Sequence, residues 1–115
     1  LKVAFISKER SLVTGKITVK GIDRQVKGLP VLIKDDLIAT GDTLVEAAKL
    51  LKKEGAKIIE VCVTHHLFLP GVQPRLDQSP IDRIWVTDTV KTAGRSKKLK
   101  VISVADRIAW AVENG

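Results

Sequence analysis

Val31-Leu32-Ile33-Lys34-Asp35-Asp36-Leu37-Ile38-Ala39-Thr40-Gly41-Asp42-Thr43 is the stretch that decides the fold of this chain. An apolar run typical of a buried strand meets two adjacent carboxylates, and a short turn rich in threonine and glycine follows. From Leu44 onward the apolar residues recur at helical spacing. The free N–H groups and the dipole at a helix N-terminus attract phosphate. The stretch therefore predicts a strand, a turn and a helix start that together hold a phosphorylated sugar.

The polar side chains of this stretch suit the same ligand. The hydroxyls of Thr40 and Thr43 can donate hydrogen bonds to phosphate oxygens. Gly41 provides a backbone position that other residues tolerate poorly. The carboxylates of Asp35 and Asp36 suit ribose hydroxyls or a hydrated Mg²⁺. These residues are the predicted ligand site.

Asp42 is the side chain in this stretch that opposes an anion. A carboxylate beside a bound phosphate is repelled, so Asp42 weakens binding unless its side chain points to solvent. It also has a structural interpretation, because Asp42 or Thr43 is a suitable cap for the helix that follows.

The surrounding elements alternate as in an α/β fold. Residues 43–54 carry one apolar stripe and precede Gly55, which predicts a helix that ends at that glycine. An apolar run at residues 57–63 predicts the next parallel strand, so that strand, helix and strand form a βαβ unit. The other predicted elements are a buried strand at residues 2–6, an arm or edge strand at residues 15–21, a last strand at residues 99–104 and a helix at residues 105–113.

The composition is that of one soluble globular domain. The chain has 115 residues, of which 44% are apolar and 29% charged, enough for a modest core. The sequence shows no apolar run near the roughly 20 residues of a membrane span, and we expect no membrane partner. The single cysteine, Cys62, cannot form an internal disulfide, which fits a cytoplasmic location, and we expect it to be a small buried residue.

The net charge of +7 suits a polyanionic ligand. Aromatic residues make up only 3% of the chain, so the sequence offers no platform for stacked bases and we expect no nucleic acid partner. Lys8 and Arg10 are expected at the carboxyl end of the first strand, where α/β sheets bind ligands. They either reach one phosphate group from a mobile loop or are two exposed charges. His65 and His66 are adjacent, point in opposite directions from an extended chain and make a poor metal chelate.

Residues 35–43, Asp-Asp-Leu-Ile-Ala-Thr-Gly-Asp-Thr, resemble the phosphoribosyl-diphosphate (PRPP) loop of type I phosphoribosyltransferases and of ribose-phosphate pyrophosphokinases, or PRPP synthetases. The resemblance implies that Asp35 and Asp36 bind the ribose hydroxyls and Mg²⁺. It implies that the ribose 5-phosphate is held by Ala39, Thr40, Gly41, Asp42 and Thr43. Ala39 stands where synthetases usually carry Asp; adenine phosphoribosyltransferases also have Ala at this position. Asp42 stands where Gly is commonest in the family.

Other segments favour the synthetase branch. Lys8-Glu9-Arg10 resembles its flexible catalytic loop, which implies that Lys8 and Arg10 are catalytic and stabilise the diphosphoryl group in flight; Glu9 departs from the usual basic residue. Residues 64–71 resemble a Thr-His-x-x-Phe segment of synthetases. Residues 79–90 resemble their Ser-Pro-Ile…Val-Thr-(Asn/Asp)-Thr strand, which general phosphoribosyltransferases do not usually carry.

The resemblance implies a three-layer α/β fold of the type I phosphoribosyltransferase kind, with a mainly parallel sheet, flanking helices and a short basic arm or hairpin near the N-terminus. It implies that the chain is the carboxyl-terminal subdomain of an enzyme that makes PRPP and AMP from ATP and ribose 5-phosphate with Mg²⁺. Residues 1–115 would be a single, incomplete domain, inactive alone because the family's ATP-binding amino-terminal half is absent. Family members assemble into dimers and hexamers, so we expect a homo-oligomer.

Two other functions remain open from the sequence. A type I phosphoribosyltransferase that consumes PRPP is favoured by Ala39 and opposed by residues 79–90. A non-catalytic regulatory subunit related to PRPP synthetases would accumulate departures such as Glu9, Ala39 and Asp42.

Overall fold

The computed structural model describes residues 2–115, which form a parallel sheet with helices and an N-terminal hairpin. The elements in chain order are β1 (Ile6–Arg10), β2 (Ile17–Ile22), β3 (Pro30–Ile38), α1 (Asp42–Lys53), β4 (Ile58–His66), α2 (Val72–Asp77), β5 (Arg83–Thr87), β6 (Leu99–Ile102) and α3 (Ala105–Asn114). The helices found between residues 2 and 115 are all too short or too polar to cross a membrane.

The main sheet has four parallel strands in the order β3-β4-β5-β6. In its register Val31 lies beside Ile59, and Val61 lies beside Ile84. Strands β1 and β2 form a separate antiparallel hairpin. The expected α/β class, with a mainly parallel sheet, flanking helices and an N-terminal hairpin, is confirmed.

The core lies on one face of the sheet. Alternate residues of β4 and β5 point to this face, including Val61, Val63 and Ile84, and are almost fully buried. Leu51 of α1 and Leu76 of α2 are buried against the same cluster. The alternate apolar side chains of the strands pack against the apolar stripe of α1, so the two sequence patterns together form one continuous apolar layer.

In the described part of the chain, the opposite face of the sheet is partly to fully exposed. Leu32 is 59% exposed and Ile58 41%, and Cys62 lies on the same side of β4 as Ile58. The prediction that Cys62 is buried is therefore wrong. Its neighbours Val61 and Val63 face the core, so alternation turns Cys62 outward.

The N-terminal strand differs from its prediction. Residues 2–5 lie outside any strand, and the side chain of Phe5 is 70% exposed. Strand β1 begins at Ile6 and runs through Arg10, where pairing with β2 supplies its hydrogen bonds. The hydrogen bonds to β2 therefore decide that the charged residues form the strand, and the apolar residues before it remain exposed. The edge strand expected at residues 15–21 is confirmed as β2.

Helix α1 agrees with its predicted range to within one residue, but its N-terminal cap does not. The N-cap is Gly41, with φ +77° and no capping side chain, so the caps predicted at Asp42 or Thr43 are wrong. The C-terminus ends as predicted at Gly55, which has φ +87°. The N–H of Ala56 donates to the Leu51 carbonyl at 3.0 Å in the 6→1 pattern of glycine-terminated helices. β6 and α3 confirm the last predicted strand and helix.

Candidate functional site

The predicted phosphate turn connects β3 to α1. The chain leaves the sheet after Ile38, turns at Gly41 and enters the helix at Asp42. The N–H of Val45 donates to the Gly41 carbonyl at 3.0 Å as the first bond of the helix. The N–H groups of the preceding residues, 42–44, therefore lie in the first helical turn, where no intrahelical acceptor is available. This turn has the backbone geometry that binds anions at helix N-termini.

The acidic pair lies inside β3 and not in the turn after it. Successive strand residues point to opposite faces, so Asp35 lies on the core side of the sheet and Asp36 on the exposed side. The N–H of Asp36 donates to Oδ1 of Asp35 at 2.8 Å, which leaves the other oxygen of Asp35 available. Of the two carboxylates, Asp35 is the one that lines the cavity beside the turn.

This cavity is about 180 Å³ in volume. It brings the N-terminal hairpin together with the end of β3 and the start of α1, which follow each other later in the chain. Its lining residues are Arg10, Ile17, Asp35, Leu37, Ala39, Thr40, Gly41, Asp42, Thr43 and Leu44. The structure therefore places all five predicted phosphate-loop residues, one of the two acidic residues and one of the two basic residues around one space.

The two predicted catalytic cations lie in a strand. Lys8 and Arg10 belong to strand β1 of the hairpin and not to the loop that follows it. Arg10 lines the cavity, whereas Lys8 does not. Residues two apart share a face of a strand, so Lys8 lies on the same face of β1 as Arg10. It is two residues further than Arg10 from the loop that joins β1 to β2. Glu9 pairs with Lys20 at 3.1 Å.

Helix α2 contributes a residue that the sequence patterns do not single out. Arg75 forms an ion pair with the Asp42 carboxylate, and its Nη1 donates to the Thr40 carbonyl at 3.4 Å. The Asp42 carboxylate, which we expect to oppose a phosphate unless it points to solvent, is about half exposed and is paired with this cation. The six residues of α2, with Pro74 in the first turn, are too few to show a helical period, so only the charge of Arg75 was available as a signal.

His65 and His66 diverge as predicted. Nδ1 of His65 lies 2.7 Å from Oγ1 of Thr89, whereas His66 is completely buried. The N–H of Phe68 donates to Nδ1 of His66, so the proton of the neutral ring is on Nε2, which donates to Oε1 of Gln73 at 3.0 Å. Burial lowers the pKa of His66, and the hydrogen bond with Gln73 opposes that change. His66 is therefore a neutral packing residue.

The carboxylates of Asp35 and Asp36 suit Mg²⁺ better than a metal ion whose ligands all come from protein side chains. In the described part of the chain no cluster of three or more His, Cys, Asp and Glu side chains has the geometry to hold an ion. Mg²⁺ is commonly held by one or two carboxylates together with substrate oxygens and water. Asp35, which lines the cavity, meets that requirement, and Asp36 lies next to it in the strand.

The fold and the site define an α/β protein with a cavity where a parallel strand passes into a helix. Residues 4–114 match the family described as the phosphoribosyl synthetase-associated domain, and the chain belongs to that family.

Similar proteins agree with this assignment. The chain is 38% identical to the ribose-phosphate pyrophosphokinase of Mycoplasmopsis pulmonis over 99% of its own length and 36% of that protein. It is also 38% identical to the Thermotoga maritima enzyme of the same name, over 82% of this chain and 30% of the relative. The crystal structure of phosphoribosylpyrophosphate synthetase from Mycobacterium smegmatis superimposes with a TM-score of 0.77 at 33% identity, covering 97% of this chain and 37% of that one. The chain thus spans about a third of these relatives.

Proposed function

We propose that this chain provides the ribose 5-phosphate side of a ribose-phosphate pyrophosphokinase. In that reaction the C1 hydroxyl oxygen of ribose 5-phosphate attacks the β-phosphorus of ATP. The bond between that phosphorus and the oxygen of the α-phosphate breaks, the hydroxyl proton is lost, and PRPP and AMP result. One observation carries the proposal: the strand-to-helix turn, Asp35 and Arg10 converge on one cavity.

The turn binds the 5-phosphate in this proposal. The N–H groups of the first turn of α1 and the hydroxyls of Thr40 and Thr43 donate to the phosphate oxygens, and the helix dipole adds to the attraction. Gly41 gives the turn its left-handed backbone, with φ +77°, and its missing side chain leaves room for α2 to pack against the turn. Ala39 adds little bulk beside the ligand. The N–H of Asp42, which donates to Oγ1 of Thr40 at 3.4 Å, turns to the phosphate when the ligand binds, while Arg75 occupies the Asp42 carboxylate.

The carboxylates position the sugar and the metal. Asp35 and Asp36 accept hydrogen bonds from the ribose hydroxyls or hold Mg²⁺ through substrate oxygens and water. When bound, Mg²⁺ neutralises charge on the transferred phosphates. Because Asp35 faces the cavity and Asp36 the other side of the sheet, Asp35 is expected to make the closer contact.

The cations of β1 stabilise the transferred group. Phosphoryl transfer needs positioning and charge neutralisation more than covalent catalysis by the protein. Arg10 already borders the cavity, and Lys8 shares its strand face. The hairpin therefore presents two positive charges toward the space where the diphosphoryl group passes from ATP to the sugar.

The ATP site belongs to a part of the enzyme outside these residues, so residues 1–115 are one incomplete phosphoribosyltransferase-like unit. The support is that relatives named ribose-phosphate pyrophosphokinase are about three times as long. The complete enzyme is proposed to act in the cytoplasm as a homo-oligomer, either a dimer or a hexamer.

The test measures AMP release from ATP, Mg²⁺ and ribose 5-phosphate by the protein that contains this chain. Arg10→Gln and Lys8→Ala are expected to lower kcat by about 100-fold, the usual scale for losing a transition-state charge contact, with a smaller change in the KM for ribose 5-phosphate. Arg83→Gln is the matched control, because Arg83 pairs with Glu60 near the other end of the sheet, and its kcat should equal that of the wild type.

The same assay separates the other functions. Consumption of PRPP that depends on a purine base, without AMP release, would indicate a phosphoribosyltransferase. Ribose 5-phosphate binding without turnover in the complete protein would indicate a non-catalytic subunit. Equal kcat values for wild type, Arg10→Gln and Lys8→Ala would remove the proposed role of β1.

A further inference from the structure

The phosphate turn carries a negative charge that its proposed ligand would not tolerate alone. Asp42 is the first residue of α1 and lines the cavity, with about half of its side chain exposed. A phosphate monoester is a dianion near neutral pH, so a carboxylate this close opposes it. Asp42 is not the cap of α1, because the N-cap residue is Gly41.

Arg75 contacts the turn at two points. One nitrogen of its guanidinium group pairs with Asp42, and the other donates to the carbonyl of Thr40. The planar guanidinium can hold both acceptors at once, which the point charge of a lysine does less well. The first contact offsets the charge of Asp42. The second holds a carbonyl oxygen of the turn toward α2.

Packing in the core fixes the position of α2, the helix from which Arg75 contacts the turn. A Cβ added to Gly41 would lie 3.1 Å from Cδ2 of Leu76 and 3.5 Å from Cγ1 of Val72, so α2 packs directly against the turn. Leu76 is completely buried, and Gln73 of the same helix is hydrogen-bonded to buried His66. The helix that carries Arg75 is therefore anchored on both sides of the arginine.

We propose that Arg75 is a positioning residue whose charge sets the affinity of the turn for sugar phosphate. It acts through Asp42 and Thr40 and does not need to touch the ligand. This inference rests on the proposed ribose 5-phosphate site. Asp42 and Arg75 act as a pair, so that losing the arginine harms binding much more when the aspartate is present.

A double-mutant cycle tests this pairing. The dissociation constant for ribose 5-phosphate is measured by calorimetry at low ionic strength for the wild type, Arg75→Gln, Asp42→Asn and the double variant. Arg75→Gln should weaken binding about tenfold, since it leaves a bare carboxylate beside a dianion. In the Asp42→Asn background the same change should cost less than about threefold. An equal loss in both backgrounds would overturn the inference.

Two further comparisons separate charge from folding. The tenfold loss should shrink to below about threefold in 0.5 M KCl, because added salt screens exposed charges; a loss that resists salt contradicts the inference. Arg75→Lys keeps the positive charge and should bind ribose 5-phosphate almost as tightly as the wild type. An affinity as low as that of Arg75→Gln would contradict the inference. Arg83→Gln removes an arginine from another surface ion pair and should bind like the wild type.

The wild-type result distinguishes the two proposals. If the wild type binds ribose 5-phosphate and Arg75→Gln binds it equally well, the inference fails and the proposed function stands. If the wild type does not bind the sugar phosphate, both fail.

Discussion

Gly41→Ala should destabilise this protein by about 2–5 kcal/mol, and the structure divides that cost into two parts. Gly41 has φ +77°, a left-handed conformation that costs an L-residue roughly 1–2 kcal/mol. The added Cβ would also lie 3.1 Å from Cδ2 of Leu76, which is completely buried and has little room to move. Overpacking of this kind adds about 1–3 kcal/mol.

Gly71→Ala is a matched control for this change. Gly71 is also an N-cap glycine, with φ +78°, but a Cβ there would meet nothing within 4 Å. It should lose only the left-handed part, about 1–2 kcal/mol. Reduced freedom of the unfolded chain offsets both changes to a similar degree, so it cancels in the comparison.

Urea unfolding followed by circular dichroism measures both variants. The free energy of unfolding should fall further for Gly41→Ala than for Gly71→Ala, by about 1 kcal/mol or more. A Gly41→Ala variant as stable as Gly71→Ala would refute the close packing of α2 against the turn. Because α2 also positions Arg75, that result would weaken the account of the site.

Three more predictions concern the buried layer and the exposed face. Burial lowers the pKa of His66, so as the pH falls the unfolded chain binds a proton at this histidine before the folded protein does. The urea midpoint of unfolding should therefore be constant above about pH 6.5 and fall as the pH drops from there toward the lowered pKa. The His66→Gln variant should lose this dependence. Cys62 is exposed, so a thiol reagent should titrate it rapidly without denaturant, and slow reaction would show that this face is covered. Leu76→Ala should cost about 2–5 kcal/mol by thermal or urea unfolding, whereas Leu12→Ala, at a fully exposed position, should cost almost nothing; similar losses would contradict the placement of the core.

The βαβ unit is predictable because each of its signals is local. The stripe of α1 has a period set by the helix itself, and Gly55 terminates it through a backbone conformation that glycine favours. β4 runs three residues further than predicted, and its alternation changes phase there, because Thr64 and His65 are both exposed and His66 is buried. The cavity residues at 39–43 follow from the same local order, since the turn must come between strand and helix.

The remaining features depend on contacts distant in sequence. The place of β1 is decided by its pairing with β2, and an apolar run alone does not reveal such a partner. Arg75 reaches Asp42 across 32 intervening residues, so no spacing rule identifies it. The exposure of Cys62 depends on what covers the sheet, which the alternation of β4 cannot report.

A titration of the ¹⁵N-labelled protein with ribose 5-phosphate, followed by amide NMR, tests the central claim most directly. The account predicts saturable shifts centred on the amides of residues 40–44, with ribose producing much smaller shifts there because it lacks the phosphate. Shifts spread evenly over the lysine-rich surface, or none at the turn, would contradict the account.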